Sequence, residues 1–303
     1  MPKYHGVLPA FYAAYGEDGN ISVPRVKALA KHLLQKGVNG LYVNGSSGEC
    51  IYLNPEERKT VLTAVMEEVG GKIPVIAHVA CNNTRDSCDL AAHAQSVGAD
   101  AIAAIPPIYF HLPDYAIAEY WNDISAAAPD TDFVIYNIPQ LAGVALTVPL
   151  LREMLKNPRV VAVKNSSMPT QDIQMFCQEG GPRLTVFNGP DEQFLAGRAI
   201  GAQAGIGGTY AVMPELFIKL NELFEQGDIA KAQPLQYAIN EIIYALCACR
   251  GNLYASMKKV MFMREQLEIG SVRKPLFASV AQDQPQLDKC AAMIDEAIHS
   301  YCK

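Results

Sequence analysis

Eight short apolar runs, each followed by small or polar residues, set the strongest limit on how this chain can fold. They lie at 6–11, 40–45, 74–79, 101–107, 133–139, 160–163, 184–189 and 204–210. These runs are almost continuously apolar and show no strict alternation, so they predict parallel strands whose two faces are both covered.

Amphipathic helical patterns fill the gaps between these runs, at 23–36, 55–68, 84–97, 114–127 and 148–156. Asn54 is a suitable N-cap for the second of them, and Pro55 suits the first helical position. Eight alternations of strand and helix predict a closed (β/α)₈ TIM barrel of the α/β class. The main alternative is a doubly wound open sheet, but no Gly-x-Gly-x-x-Gly turn follows the first strand.

After Pro214 the strand pattern stops, and helical patterns cover 215–226, 229–250, 253–267 and 286–301. The first of these helices completes the last barrel unit. We therefore expect a barrel at 1–228 and a C-terminal helical extension at 229–303. The apolar character of this tail predicts that it packs on the barrel, on another subunit, or on both.

Composition and charge exclude several classes of function. The chain has 303 residues, half of them hydrophobic, and a net charge of −6 without any basic stripe, so we expect no nucleic-acid partner. No apolar stretch approaches the roughly 20 residues of a membrane span. The N-terminus lacks the apolar core of a signal peptide, and the eight cysteines are scattered. We therefore expect reduced thiols, a cytoplasmic location and, because no His-Glu-x-x-His spacing occurs, no metal site.

Lys164 is the most informative single residue, because it directly follows the apolar run 160–163 and precedes polar residues. Lysine is rarely buried. A lysine at the mouth of an apolar strand would be desolvated, which lowers its pKa and leaves more of the amine neutral. A neutral amine can attack a ketone and form a Schiff base. The alternative is an ordinary solvent-exposed lysine at the end of a strand.

Other polar residues follow the predicted strands in the same way, and barrel active sites lie at the C-terminal ends of the strands. Each of them also has a purely structural interpretation. The Gly-Ser-Ser-Gly segment could be a plain turn, Tyr136 a core tyrosine, and Asp191 with Glu192 an acidic helix start. A phosphate site after the last two strands is disfavoured, because no basic residue is near. One barrel mouth would nevertheless gather Ser46, Ser47, Tyr109, Tyr136, Lys164, Ser166, Gly189, Asp191, Glu192, Ile206 and Gly208.

Three of these segments, 45–49 (GSSGE), 136–139 (YNIP) and Val163-Lys164, resemble signatures of the N-acetylneuraminate lyase and dihydrodipicolinate synthase superfamily. The resemblance covers nearly the whole chain, with the motifs in matching order and spacing. It implies a pyruvate-dependent class I aldolase on a (β/α)₈ barrel with a C-terminal helical extension. It also implies a homotetramer that needs no cofactor, because the substrate itself becomes a Schiff base on the lysine.

The resemblance implies a role for each candidate residue. Lys164 would form the Schiff base, and Tyr136 would relay protons with Ser47 and with Tyr109, the last from a neighbouring subunit. Ser46 and Ser47 would hold the substrate carboxylate. The remaining substrate contacts would come from Ser166, Gly189, Asp191, Glu192, Ile206 and Gly208.

Two features of this resemblance favour the lyase branch, whose substrate is a sialic acid that splits reversibly into N-acetylmannosamine and pyruvate. Dihydrodipicolinate synthases typically carry an arginine where this chain has Leu141. Segment 188–192 resembles the part of the lyases that binds the polyhydroxylated chain of the sugar. Gly208 departs from the serine of some lyases. A dihydrodipicolinate synthase, an aldolase for another 2-keto-3-deoxy sugar acid and a non-catalytic keto-acid-binding barrel remain alternatives.

Overall fold

Eight parallel strands form one sheet in the computed structural model, which describes residues 3–302. From the second strand onwards each strand pairs with the next, and the first pairs with the last. A bridge between Ala10 and Tyr42 joins the remaining two edges, so the sheet closes on itself. The strands are β1 (Gly6–Pro9), β2 (Leu41–Val43), β3 (Val75–His78), β4 (Ala101–Ala104), β5 (Asp132–Asn137), β6 (Val160–Asn165), β7 (Thr185–Asn188) and β8 (Ala204–Gly207).

Helices follow the strands and cover the outside of this barrel. They are α1 (Val23–Gln35), α2 (Pro55–Val69), α3 (Thr84–Ser96), α4 (Asp114–Ala127), α5 (Pro139–Ala142), α6 (Val148–Met154), α7 (Thr170–Gly180), α8 (Phe194–Ala199) and α9 (Pro214–Glu225). The predicted (β/α)₈ class is confirmed. Helix α2 begins as the sequence predicts: the Asn54 side chain accepts from the backbone of Glu57, and the Glu57 carboxylate accepts from the backbone of Asn54.

Three further helices follow the barrel: α10 (Ile229–Cys247), α11 (Leu253–Glu265) and α12 (Gln284–Tyr301). They pack against one another, and α10 and α12 also pack on α9. The boundary at residue 228 stays a prediction. Helix α10 ends three residues before its predicted end at Arg250. Here the Asp283 carboxylate accepts from the backbone N–H groups of Arg250 and Gly251 at 2.7 and 3.1 Å.

The barrel interior is filled by inward-pointing side chains and is not a channel. This inner cluster includes Leu8, Tyr42, Ile76, Val134 and Phe187. A second, larger cluster fills the layer between the strands and the helices. Within residues 3–302, no helix is both long enough and apolar enough to span a membrane.

Candidate active site

The register of two neighbouring strands brings the predicted amine and the predicted proton carrier together. Tyr136 of β5 pairs with Lys164 of β6. Residues opposite each other in a sheet present their side chains on the same face, here the inside of the barrel. The Lys164 Nζ lies 3.7 Å from the centre of the Tyr136 ring. Both side chains are almost completely buried, at 5% and 3% exposure.

The environment of Lys164 favours the neutral amine. Burial lowers the pKa of Lys164 from 10.5 to about 7, and the negative charge of Asp191 opposes this shift only in part. The Tyr42 ring lies 4.8 Å from Nζ on another side. At neutral pH a large fraction of the amine is therefore unprotonated and nucleophilic, as the sequence predicts for a desolvated lysine.

Tyr136 is held as a neutral phenol. Burial raises its pKa to about 12, against hydrogen-bonding contacts with Ser46 and Ser166 that lower it. Ser46 of the serine turn is among the groups that lower the pKa of Tyr136, and Ser47 is among those that lower the pKa of Tyr254, so the relay expected between Tyr136 and Ser47 stays a prediction. The two serines thus face different neighbours, because successive residues of a 3₁₀ turn point about 120° apart.

The serine turn lies directly after β2 and ends at an unusual residue. Ser46–Gly48 form one 3₁₀ turn, and Glu49 follows in the left-handed region at φ 54°. The Glu49 carboxylate accepts from Lys258 Nζ of α11 at 2.8 Å, and both side chains are fully buried. Tyr15 and the backbone N–H of Arg273 donate to its other oxygen at 3.1 and 2.9 Å. This buried ion pair fixes the turn that carries both serines.

The ends of β7 and β8 form the opposite side of the site. Asp191 is buried, and its carboxylate accepts from the backbone and the hydroxyl of Thr209, both at 2.6 Å. Burial raises the pKa of Asp191 to about 6. The Gly189 backbone approaches Ser166 so closely that a Cβ at 189 would lie 2.1 Å from its Oγ. Only glycine permits this approach.

The other predicted contacts of the sugar chain lie at the same end of the barrel. Ile206 is fully buried in β8 and belongs to the inner cluster. Gly208 follows β8, and a Cβ there would lie 3.2 Å from Ser47 Oγ. Glu192 is partly buried, and its backbone carbonyl accepts from Asn240 of α10 at 3.0 Å. Most of the predicted site residues thus share one mouth.

Tyr109 is not brought to this site within the chain. Its side chain is 86% exposed, its φ is 85°, and its ring packs on exposed Phe110 at 5.1 Å. A positive φ is strained for an aromatic residue. The structure therefore holds an aromatic side chain outward, away from the Lys164 of the same chain.

Sequence reasoning missed three residues of the site. Tyr42 and His78 lie beneath Lys164 with their rings 5.6 and 5.9 Å from the Tyr136 ring. In the sequence both look like ordinary strand residues, although the alternation of side chains along β2 could have placed Tyr42 inside the barrel. Tyr254 of α11 lies within hydrogen-bonding reach of Ser47. It is 207 positions away in the chain, and no local signal marks it.

A cavity of about 600 Å³ begins at Ser46 and extends over the strand ends. Ile138, Leu141 and Tyr254 are among the residues that line it. At Leu141 the wall is therefore aliphatic, and the guanidinium that lines the cavity belongs to Arg58. Among the described residues, no three His, Cys, Asp or Glu side chains come together as a metal-binding group.

Residues 3–294 match the dihydrodipicolinate synthetase family over nearly the full chain. The chain belongs to this family. An N-acetylneuraminate lyase of Mediterraneibacter gnavus is 61% identical over 297 residues, which are 98% of this chain and 94% of the relative. The resemblance seen in the three motifs is thus confirmed at the level of the family.

Solved structures of this family show the same architecture. Wild-type sialic acid aldolase of Ruminococcus gnavus matches with a TM-score of 0.98 and 60% identity, covering 99% of this chain and all of that one. A catalytic lysine mutant of a Ruminococcus gnavus sialic acid aldolase matches equally well, covering 99% of this chain and 98% of that one.

Proposed function

We propose that this chain is a Schiff-base aldolase that reversibly cleaves N-acetylneuraminate to N-acetylmannosamine and pyruvate. The observation that carries the proposal is the buried Lys164, whose pKa is lowered to about 7 beside the Tyr136 phenol. The 61% identical lyase and the 60% identical sialic acid aldolase support the choice of substrate.

The first step joins the amine to the open-chain sugar acid. The neutral Nζ of Lys164 attacks the C2 ketone, and loss of water from the adduct leaves a protonated imine. Its positive nitrogen then accepts the electron pair of the C3–C4 bond as that bond breaks. No further cofactor is required, because this imine is the electron sink.

The second step needs a proton to leave the C4 hydroxyl. A phenol with a pKa of about 12 is protonated at neutral pH, so Tyr136 cannot act as a base that is already ionised. It can accept the C4 proton while it passes its own proton onward, and its contacts with Ser46 and Ser166 offer such an exit. C4 becomes the aldehyde carbon of N-acetylmannosamine. Protonation of the enamine at C3 and addition of water at C2 release pyruvate and restore Lys164.

The test is reductive trapping with pyruvate. Borohydride should reduce the imine to a stable secondary amine, and peptide mass spectrometry should find the pyruvate adduct on Lys164. Lys164→Arg is the matched variant and should give no adduct. An adduct on another lysine, or none in the unaltered protein, would contradict the proposal. Release of pyruvate from a panel of 2-keto-3-deoxy sugar acids then distinguishes the sibling aldolases.

A dihydrodipicolinate synthase is the less favoured alternative. In that branch an arginine stands where this chain has Leu141, an exposed aliphatic residue that lines the cavity. Trapping of pyruvate without cleavage of any sugar acid in the panel would instead favour a barrel that only binds keto acids.

The homotetramer and the relay role of Tyr109 belong to the same proposal. Tyr109 and Phe110 form an exposed aromatic pair near the mouth, and Tyr237 and Tyr244 are exposed on α10. Exposed apolar surfaces of this kind mark interaction sites, and two separate surfaces permit a closed assembly of four copies. Across the first surface, Tyr109 could enter the site of a neighbouring copy. Light scattering would measure the mass of the assembly.

A cytoplasmic location is also part of the proposal. It is supported by the cysteines, all eight of which are free thiols, since a reducing compartment keeps thiols in this form. Fractionation of the source cells would test it.

A further inference from the structure

One face of helix α11 is fixed across the mouth of the barrel. Tyr254, Met257 and Lys258 are spaced so that they share one helix face. Lys258 pairs with Glu49 beside the serine turn at 2.8 Å. The Met257 sulfur lies 3.2 Å from the Tyr12 hydroxyl, which donates to the Gly208 carbonyl at 2.6 Å. Helix α11 is thereby tied to the ends of both β2 and β8.

Tyr254 projects from this face into the space between those two strand ends. It is partly buried, it lines the cavity that begins at Ser46, and it lies close enough to Ser47 for that hydroxyl to lower the pKa of Tyr254. Burial raises the pKa of Tyr254 well above its usual value, and nearby Tyr136 adds to this effect. The phenol therefore keeps its proton at any pH at which the enzyme is assayed, and it can serve as a donor.

Ser47 needs such a partner because the opposite strand offers none at this position. Residue 208 is a glycine, and a Cβ there would already lie 3.2 Å from Ser47 Oγ. A serine hydroxyl has one proton to donate and rotates freely unless a neighbour fixes it. When a phenol donates to its oxygen, the serine proton is left for another acceptor.

We propose that Tyr254 is a positioning residue for the keto acid: its hydroxyl donates to Ser47 and directs the Ser47 O–H to the substrate carboxylate. This inference rests on the proposed aldolase function. It assigns a role in the reaction to the C-terminal extension of the same chain. The carboxylate is common to N-acetylneuraminate and pyruvate and is absent from N-acetylmannosamine, so the three compounds differ in their dependence on Tyr254.

The experiment compares Tyr254→Phe with the unaltered enzyme in both directions. Loss of one neutral hydrogen bond should raise the KM of pyruvate and of N-acetylneuraminate about three- to tenfold. The KM of N-acetylmannosamine should stay within about twofold. Tyr115→Phe, which removes an exposed hydroxyl from helix α4, is the matched control and should change none of the three. A purely structural role would raise all three values together, and that result would overturn the proposal.

A double-mutant cycle tests whether Tyr254 acts through Ser47. In the Ser47→Ala background, Tyr254→Phe should have no further effect on the KM of pyruvate. Additive effects would overturn the proposal, as would an unchanged KM in the single variant. Trapping with borohydride shows whether the proposed role of Tyr254 or the proposed aldolase function itself has failed. A Lys164 adduct with an unchanged KM rejects only the role of Tyr254, whereas absence of the adduct in unaltered protein rejects both.

Discussion

Replacing the buried amine should make the protein more stable while it abolishes catalysis. In Lys164→Met an apolar side chain of similar length fills the same space. The lysine pKa falls from 10.5 to about 7 on folding, which corresponds to a cost of about 5 kcal/mol for burying the protonated form. Structural relaxation and water penetration reduce this cost. We expect the variant to gain about 3 kcal/mol in free energy of unfolding at pH 6.

The dependence of the stability gain on pH distinguishes removal of a buried charge from better packing of the methionine side chain. The unfolded chain binds a proton at Lys164 up to about pH 10.5, whereas the folded chain loses it near pH 7. Between these values the unfolded state binds more protons, so this group makes the unaltered protein more stable as pH rises. The advantage of Lys164→Met should therefore fall from about 3 kcal/mol at pH 6 to about 1 kcal/mol at pH 9.

Thermal unfolding without pyruvate measures this difference. For a chain of this length the unfolding entropy is about 0.6 kcal/mol per degree, so Tm should rise by about 5 °C at pH 6. Lys289→Met, which removes an exposed lysine, is the control and should change Tm little at either pH. The reasoning would be refuted by a variant that is no more stable at pH 6, or by an advantage that does not shrink at pH 9.

Tyr136→Phe should lower cleavage about 10²- to 10⁴-fold, because a positioned proton carrier is lost, while the pyruvate adduct still forms; unchanged turnover in a pyruvate-release assay would contradict this. The rate of adduct formation should rise with pH and level off above about 7, as Lys164 loses its proton; a flat profile in timed borohydride quenching would argue against the lowered pKa. Lys258→Met leaves the Glu49 carboxylate buried without its cation and should cost about 3–5 kcal/mol in urea unfolding. The double variant with Lys258→Met and Glu49→Gln should recover much of that loss. If the double variant loses as much stability as Lys258→Met alone, the unpaired carboxylate is not the cause. Tyr109→Ala and Lys164→Arg should each be nearly inactive alone, yet mixed oligomers of the two should regain activity if Tyr109 serves a neighbouring copy; absence of recovery in oligomers shown to be mixed would reject that role.

The sequence predicted those parts of the molecule whose cause is local. Continuous apolar runs and helical spacing indicated the barrel, and the Asn54 cap fixed the start of α2. The site followed from the rule that barrel strands end at one mouth. Lys164 and Tyr136 needed only that rule, because each ends a strand that the pattern already marked.

Contacts between distant segments could not be predicted in this way. Glu49 and Lys258 are 209 positions apart, and neither the charge pattern nor the helix spacing links them. The same holds for Tyr254 and Ser47.

The buried pair of Glu49 and Lys258 also governs when a newly made chain can first become active. A ribosome that has released only the barrel has not yet supplied the cation for a carboxylate that the finished protein encloses completely. Until helix α11 emerges, that carboxylate must stay hydrated, and the serine turn beside it cannot adopt its final conformation. Competence for aldol chemistry should therefore arrive late in synthesis, after all eight strands have been made, and a shortened chain should form a barrel whose mouth is unfinished.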